Sequence, residues 1–192
     1  NNVWAAGGTQ NTGFYKFNGS TWENYNLTTH PGIGNSNWFQ KISYGNGNVW
    51  ALGYGGGPTL ILADTFRNYN PSNSILPGIS NNPNFCATYG GAYDNFGVFW
   101  ITFFATNSGR SLYALNTGNV WTGFINPSII SSSSLSEIAV DSYNTKWIVS
   151  SGSRSGIYFF NENGSLDNPA DDIYGFYDNS DFGSEVTNVT DV

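Results

Sequence analysis

Apolar and polar positions alternate along this chain in short stretches of four to six residues. The stretches themselves recur with a long period. Tryptophans mark that period: Asn2-Val3-Trp4-Ala5 returns as Asn48-Val49-Trp50-Ala51, as Val98-Phe99-Trp100-Ile101 and as Thr145-Lys146-Trp147-Ile148, in steps of 46, 50 and 47 residues. A second alternating strand follows each Trp, centred on Tyr15, Ile61, Tyr113 and Tyr158, at 11, 11, 13 and 11 residues. A pair of aromatics three apart comes next: Trp22/Tyr25, Phe66/Tyr69, Trp121/Phe124 and Tyr174/Tyr177. An alternating apolar strand closes each period, over 39–44, 85–89, 135–140 and 186 to the end. Period-2 alternation over such lengths is the signature of half-buried strands. Asn18-Gly19, Asn46-Gly47 and Asn163-Gly164 supply hairpin turn chemistry.

Four strands in each 40–50 residues is the arithmetic of a β-propeller blade. The fold class expected is all-β: about four four-stranded antiparallel blades, over repeats of approximately 1–46, 47–96, 97–143 and 144–192. Trp4, Trp50, Trp100 and Trp147 then fall at one equivalent position per blade. A large flat side chain there fills the space between neighbouring twisted sheets, so the four are expected to be structural. Stacking on a carbohydrate suits Trp38 and Tyr54 better, as aromatics expected at loop tips. Residues 1–4 enter directly at a Trp strand, and 186–192 form the strand that precedes a fifth. Either the chain is an open segment of a larger propeller, or its last strand closes a four-bladed ring. The lack of Met and of a leader favours the segment.

Composition narrows the function. Only 10% of residues are charged and 17% are aromatic, which excludes a disordered chain. The net charge is −7, and the six basic residues are scattered. A nucleic-acid surface needs a basic stripe, so nucleic acid is excluded as a partner, and anionic membrane surfaces are disfavoured. No apolar run approaches the length of a membrane-spanning helix, so no direct membrane insertion is expected. The single cysteine, Cys86, lies in an apolar run and reads as a buried small residue. The one histidine, His30, sits in a Gly/Pro loop with nothing to join it to Cys86.

One stretch and one scattered set of carboxylates bear on chemistry. Asn161, Asn163, Ser165, Asp167 and Asp172 space oxygen donors much as a twelve-residue calcium loop does. Gly164 falls at the fourth place instead of the sixth, however, and Asp172 replaces the closing Glu. A solvated turn is the plainer reading, with no cofactor. Glu23, Glu137, Glu162 and Glu185 are the carboxylates a glycosidase would need in pairs, but no motif links them. No hydrolase elbow or phosphate-binding loop is present. The chain is therefore expected not to be an enzyme, a propeller lyase or glycosidase being the less favoured alternative.

The run from Ser134 to Ile148, with Glu137-Ile138-Ala139-Val140-Asp141 and Lys146-Trp147-Ile148, followed by Gly156-Ile157-Tyr158-Phe159-Phe160, resembles the two-component-regulator propeller repeat. Tyr15-Lys16-Phe17-Asn18-Gly19-Ser20-Thr21-Trp22 and the Asn163-Gly164 … Asp171-Asp172 stretch are most similar to the PorZ-type proteins of the type IX secretion system. The second repeat departs from the pattern, with Tyr44 in place of the Asp and Thr59-Leu60-Ile61 in place of Gly-Leu-Tyr. The third is expected to lack the Asp-x-x-Gly turn. The resemblance implies a large propeller of about seven blades, exported to the surface or periplasm of a member of the Bacteroidota. Its role would be recognition or scaffolding in protein transport to the outer membrane, with secretion proteins or a surface glycan as partners. The other role it implies is the periplasmic oligosaccharide sensor of a hybrid two-component system. It carries over no functional residue.

Overall fold

A computed structural model of the chain describes residues 2–34, 38–63, 65–128, 134–151, 155–183, 189 and 191–192. The described residues form fifteen strands in four consecutive meanders, every pair antiparallel. Unit one is β1 (Val3–Ala6), β2 (Phe14–Phe17) and β3 (Trp22–Tyr25). Unit two is β4 (Trp38–Gly45), β5 (Asn48–Gly55), β6 (Thr59–Ile61) and β7 (Phe66–Asn68). Unit three is β8 (Cys86–Tyr93), β9 (Phe99–Phe103), β10 (Leu112–Leu115) and β11 (Trp121–Phe124). Unit four is β12 (Leu135–Val140), β13 (Lys146–Ser150), β14 (Gly156–Asn161) and β15 (Ile173–Asp178), followed by the one-turn helix α1 (Asn179–Phe182). Two residue pairs, Tyr54↔Ala87 and Gly55↔Cys86, join units two and three into one eight-stranded sheet.

The sheets and the Trp-to-Trp repeats differ in phase. Trp50, Trp100 and Trp147 lie on the second strands of their units (β5, β9, β13), each paired with the strand before it (β4, β8, β12), whereas Trp4 lies on the first described strand of unit one. Residues 184–188 and 190 lie outside the described residues. They include Glu185 and most of the strand expected from Val186.

Three apolar clusters lie between successive units. The first joins Phe14 and Tyr25 of unit one to Phe39, Ala51 and Ile61 of unit two. The second joins Trp50 and Leu52 to Phe99, Ile101, Tyr113 and Leu115 of unit three. The third joins Trp100, Leu112 and Ala114 to Ile148, Tyr158 and Phe160 of unit four. Successive side chains on a strand point to opposite faces, so β9 sends Phe99, Ile101 and Phe103 towards unit two and Trp100 towards unit four. Both faces are covered, and every residue of β9 is buried.

The first strands β4, β8 and β12 lie side by side, and their backbones touch. A Cβ on Gly90 of β8 would meet Ser136 O of β12 at 2.4 Å. Buried hydroxyls stitch the same region. Ser43 Oγ donates to Gly91 O at 2.7 Å, and Thr102 Oγ1 donates to Ser136 O at 2.5 Å while accepting Gly90 N–H at 2.8 Å. Each first strand pairs with its neighbour across a register shift: Phe39/Lys41, Thr88/Gly91 and Leu135/Ile138. Such bulges sharpen local twist.

Of the three Asn-Gly pairs, only Asn46-Gly47 forms a two-residue turn, closing β4 onto β5 with φ of 49° and 76°. Positive φ at both residues is what that turn type requires. Asn18-Gly19 opens a four-residue loop, where Asn18 Oδ1 accepts the N–H groups of Ser20 and Thr21. Asn163-Gly164 stands at the start of the long β14–β15 connection.

Candidate functional site

The tryptophans divide into two classes. Trp50 and Trp100 are fully buried, whereas Trp4 and Trp147 are half-buried. Each buried Trp is covered by the residue that immediately precedes the Trp of the next unit. Phe99 stacks on Trp50 with ring centroids 4.3 Å apart and planes 4° from parallel. Lys146 places its Nζ 4.2 Å from the ring centroid of Trp100. Val49 and Trp4 both pack at the edge of the first cluster.

A turn fixes the indole of each later Trp. Asp94 Oδ1 accepts the N–H groups of Phe96 and Val98, and its Oδ2 accepts Trp100 Nε1–H at 2.9 Å. Asp141 repeats this with Tyr143, Thr145 and Trp147 Nε1–H, also at 2.9 Å. The third repeat therefore does carry the Asp-x-x-Gly turn, as Asp94-Asn95-Phe96-Gly97. In the fourth, Asn144 holds the glycine place at φ 67°. Unit two has no such aspartate, and Trp50 Nε1–H instead donates to Tyr93 Oη of unit three at 2.9 Å. The Trp147 indole N–H, with the backbone donors, holds the Asp141 carboxyl below its ordinary value.

Lys146 is fully buried. Its ammonium donates to Glu162 and to Asn144 O and lies 3.7 Å from Asp94 Oδ2. Asn144 Nδ2–H donates to Glu162 Oε1 at 2.9 Å, and Asn144 Oδ1 accepts Asn95 N–H at 3.0 Å. The network thus ties the turn of unit three to two strands of unit four. Burial pulls the Lys146 ammonium below the usual lysine value, and Glu162 and Asp94 oppose that pull. Sequence reasoning missed this network. Its one signal was a lysine at an apolar phase of the alternation, directly before Trp147.

Of the other candidate carboxylates, Glu185 lies outside the described residues, and Glu23 and Glu137 are engaged apart from one another. Glu137 takes the Lys41 ammonium across from β4. Glu23 accepts Tyr25 Oη–H at 2.6 Å and lies 3.9 Å from His30 Nε2. Cys86 is buried, with its thiol pushed up to about 12. A thiol so raised is not a nucleophile at neutral pH.

The donors weighed for calcium are spread. Asn161 Oδ1 accepts Asn163 N–H, and Asn161 Nδ2–H donates to Tyr143 O. Ser165 Oγ–H points between the two carboxylate oxygens of Asp171, at 3.2 and 3.0 Å. Asp167 and Asp172 line a groove of about 410 Å³ against Arg110 and Phe124 of unit three. Burial first, then Asp171 and Glu162, raise the Asp172 carboxyl. No group of three or more His, Cys, Asp or Glu side chains that could hold a metal occurs among the described residues.

Two surfaces have the form of a binding site. A groove of about 1230 Å³ runs between units one and two, lined by Trp4, Lys16, Glu23, His30, Tyr44 and Phe66. Lys16 Nζ stands 5.4 Å from the Trp4 centroid, and His30 stacks on Tyr25 at 4.3 Å. The second lies where β4 meets β5. Trp38 and Tyr54 are not at loop tips. They are paired strand residues with rings 5.7 Å apart, and Trp38 Nε1–H donates to Gly8 O. Both surfaces offer flat rings beside polar groups, which suits binding; at the first, His30 Nδ1 also stands 3.0 Å from Thr29 Oγ1.

No protein-family profile matches the chain, and no curated protein matches it. Among solved structures it is similar to PorZ, described as an essential surface component of the type IX secretion system of the human oral bacterium Porphyromonas gingivalis. The likeness covers 90% of this chain at a TM-score of 0.76 and 21% identity. The chain spans 25% of the length of that PorZ chain.

Proposed function

We propose that the four units are consecutive blades of a larger propeller of about seven blades, acting without catalysis as a recognition or scaffold module. It works at the surface or in the periplasm of a bacterium and serves type IX secretion and the surface attachment of its cargo. The observation that carries this reading is the shared fold with a surface component of that system over nine-tenths of the chain. Its partners are proteins of the secretion machinery or a surface glycan. No helix among the described residues is long and apolar enough to cross a membrane. The test is deletion of the coding region in the source bacterium, followed by fractionation of secreted cargo. Cargo should be lost from the surface and accumulate in the periplasm; unchanged surface cargo would sink the proposal.

The groove beside Trp4 favours a second reading, the sensor half of a hybrid two-component system that binds an oligosaccharide. Aromatic platforms flanked by a carboxylate and an ammonium suit a sugar ring with its hydroxyls. A membrane helix and kinase domain encoded after the propeller would decide for the sensor. For calcium, the loop donors are already engaged with one another or line the groove, so melting curves in Ca²⁺ and in chelator should superimpose. A clear rise in melting temperature with Ca²⁺ would show the 161–172 loop to be a cation site.

A further inference from the structure

The groove between units three and four differs from the one beside Trp4 in the state of its charges. Beside Trp4 the ionic groups are engaged within the chain: Glu23 accepts Tyr25 Oη–H, and Lys16 stands over the Trp4 ring. Between units three and four they are not. Arg110, on the β9–β10 connection, rests its stem near Gly123, where a Cβ would meet Arg110 Cδ at 3.0 Å. Asp167 and Asp172 stand across from it on the β14–β15 connection of unit four. All three line the groove, and none of them is in an ion pair among the described residues. Asp171 is instead taken by Ser165 Oγ–H. The apolar part of the lining includes Phe124, Phe160, Leu166 and Tyr174. Phe124 and Phe160 pack edge to face with centroids 4.8 Å apart, which fixes both rings, and Tyr174 is 48% exposed.

We propose that this groove binds a short apolar peptide with both ends free: its terminal ammonium meets Asp167 and Asp172, its terminal carboxylate meets Arg110, and its side chains lie on the rings. Charge complementarity selects this ligand. The basic group comes from unit three and the acidic pair from unit four, so the ligand has to carry its own charges at separate ends, as a peptide does. A guanidinium takes a carboxylate through two parallel hydrogen bonds. Burial first, then Asp171 and Glu162, hold the Asp172 carboxyl above its ordinary value, and a bound ammonium relieves that strain on its charge. A neutral sugar would take the same three charges out of water and return none. The volume of about 410 Å³ falls within the range of small-ligand sites. The site goes beyond the scaffold role and does not depend on it.

Isothermal titration calorimetry of the purified chain with leucyl-phenylalanine, its N-acetyl form and its C-terminal amide reads the site. The free dipeptide should bind saturably, and each cap should weaken binding about tenfold or more, as loss of a charged hydrogen-bond partner does. Arg110→Gln should abolish the penalty of the amide and keep that of the acetyl group. Asp167→Asn combined with Asp172→Asn should do the reverse. Each variant has to keep one penalty, which separates a lost contact from a folding defect; if a variant loses all three ligands, the capping series on the wild-type chain decides alone. Caps that make no difference to the wild-type chain overturn the proposal, as does the lack of saturable binding up to about 10 mM. Maltose that binds where the dipeptide does not, and is weakened by Arg110→Gln, would make the groove a glycan site and overturn it too. Only purified chain is used, so unchanged surface cargo after deletion would leave this result standing.

Discussion

Lys146 holds an ammonium out of water between two carboxylates, under the face of an indole ring. Removing one member of a buried ionic set leaves the others uncompensated and costs about 3–5 kcal/mol. Lys146→Met should therefore lower the unfolding free energy by that amount in urea titration, even though Met fills similar volume. A loss under about 1 kcal/mol would mean that water reaches the site and supports the carboxylates. Asp141 makes a prediction about pH. Its folded carboxyl lies below the ordinary 3.8, so its contribution is complete above that value and is lost as pH falls through the folded value. Asp141→Asn should melt lower than wild type at neutral pH, and the gap should close as the pH is taken well below 4. A gap that persists unchanged in acid would mean that the side chain acts through shape and not charge.

At the scale of the strand, the first strands of units two, three and four depend on backbone contact more than on side-chain volume. Thr102 serves two backbone groups at once, on its own unit and on the next. Thr102→Val keeps the shape and strands Ser136 O and Gly90 N–H, which should cost about 1–3 kcal/mol; an undiminished unfolding midpoint would contradict this. Such contacts explain what the sequence could and could not disclose. The Trp period, the short strands and the aromatic pairs were legible because alternation and large rings repeat at fixed offsets. The strand ending at Tyr93 was read as ending at Tyr89 because Gly90-Gly91 looks like a break. Those glycines in fact let β8 approach β12 and Leu52. That misplaced end also hid the turn at Asp94. The Lys146 network was invisible for another reason: its partners Asp94 and Glu162 are 52 and 16 residues distant in opposite directions (146 − 94 and 162 − 146), and no local pattern links them.

Across the whole molecule, stability is distributed over interfaces between neighbours, as in other repeat architectures. Trp50 is fully buried between units two and three, whereas Trp147 is half-buried. Trp50→Ala should cost about 3–5 kcal/mol, as deletions of fully buried large rings do. Trp147→Ala should cost clearly less, because part of that ring already faces solvent. Equal losses by chemical denaturation would mean that the two faces are covered alike.

Two joints use different residues ahead of the next tryptophan: Phe99 on Trp50 and Lys146 on Trp100. They are therefore not interchangeable. A lysine set against Trp50 would find neither Asp94 nor Glu162 to receive its charge, and a phenylalanine against Trp100 would leave both acids without a balancing cation. A chain of near-identical modules runs the hazard of skipping one during folding and docking the wrong pair. Here the joints at Trp50 and Trp100 differ in chemistry, one ring on ring and the other ammonium on ring, so docking the wrong pair would leave one of them unmatched. Any duplication or shuffling of these modules has to copy a Trp and its covering residue as a matched set.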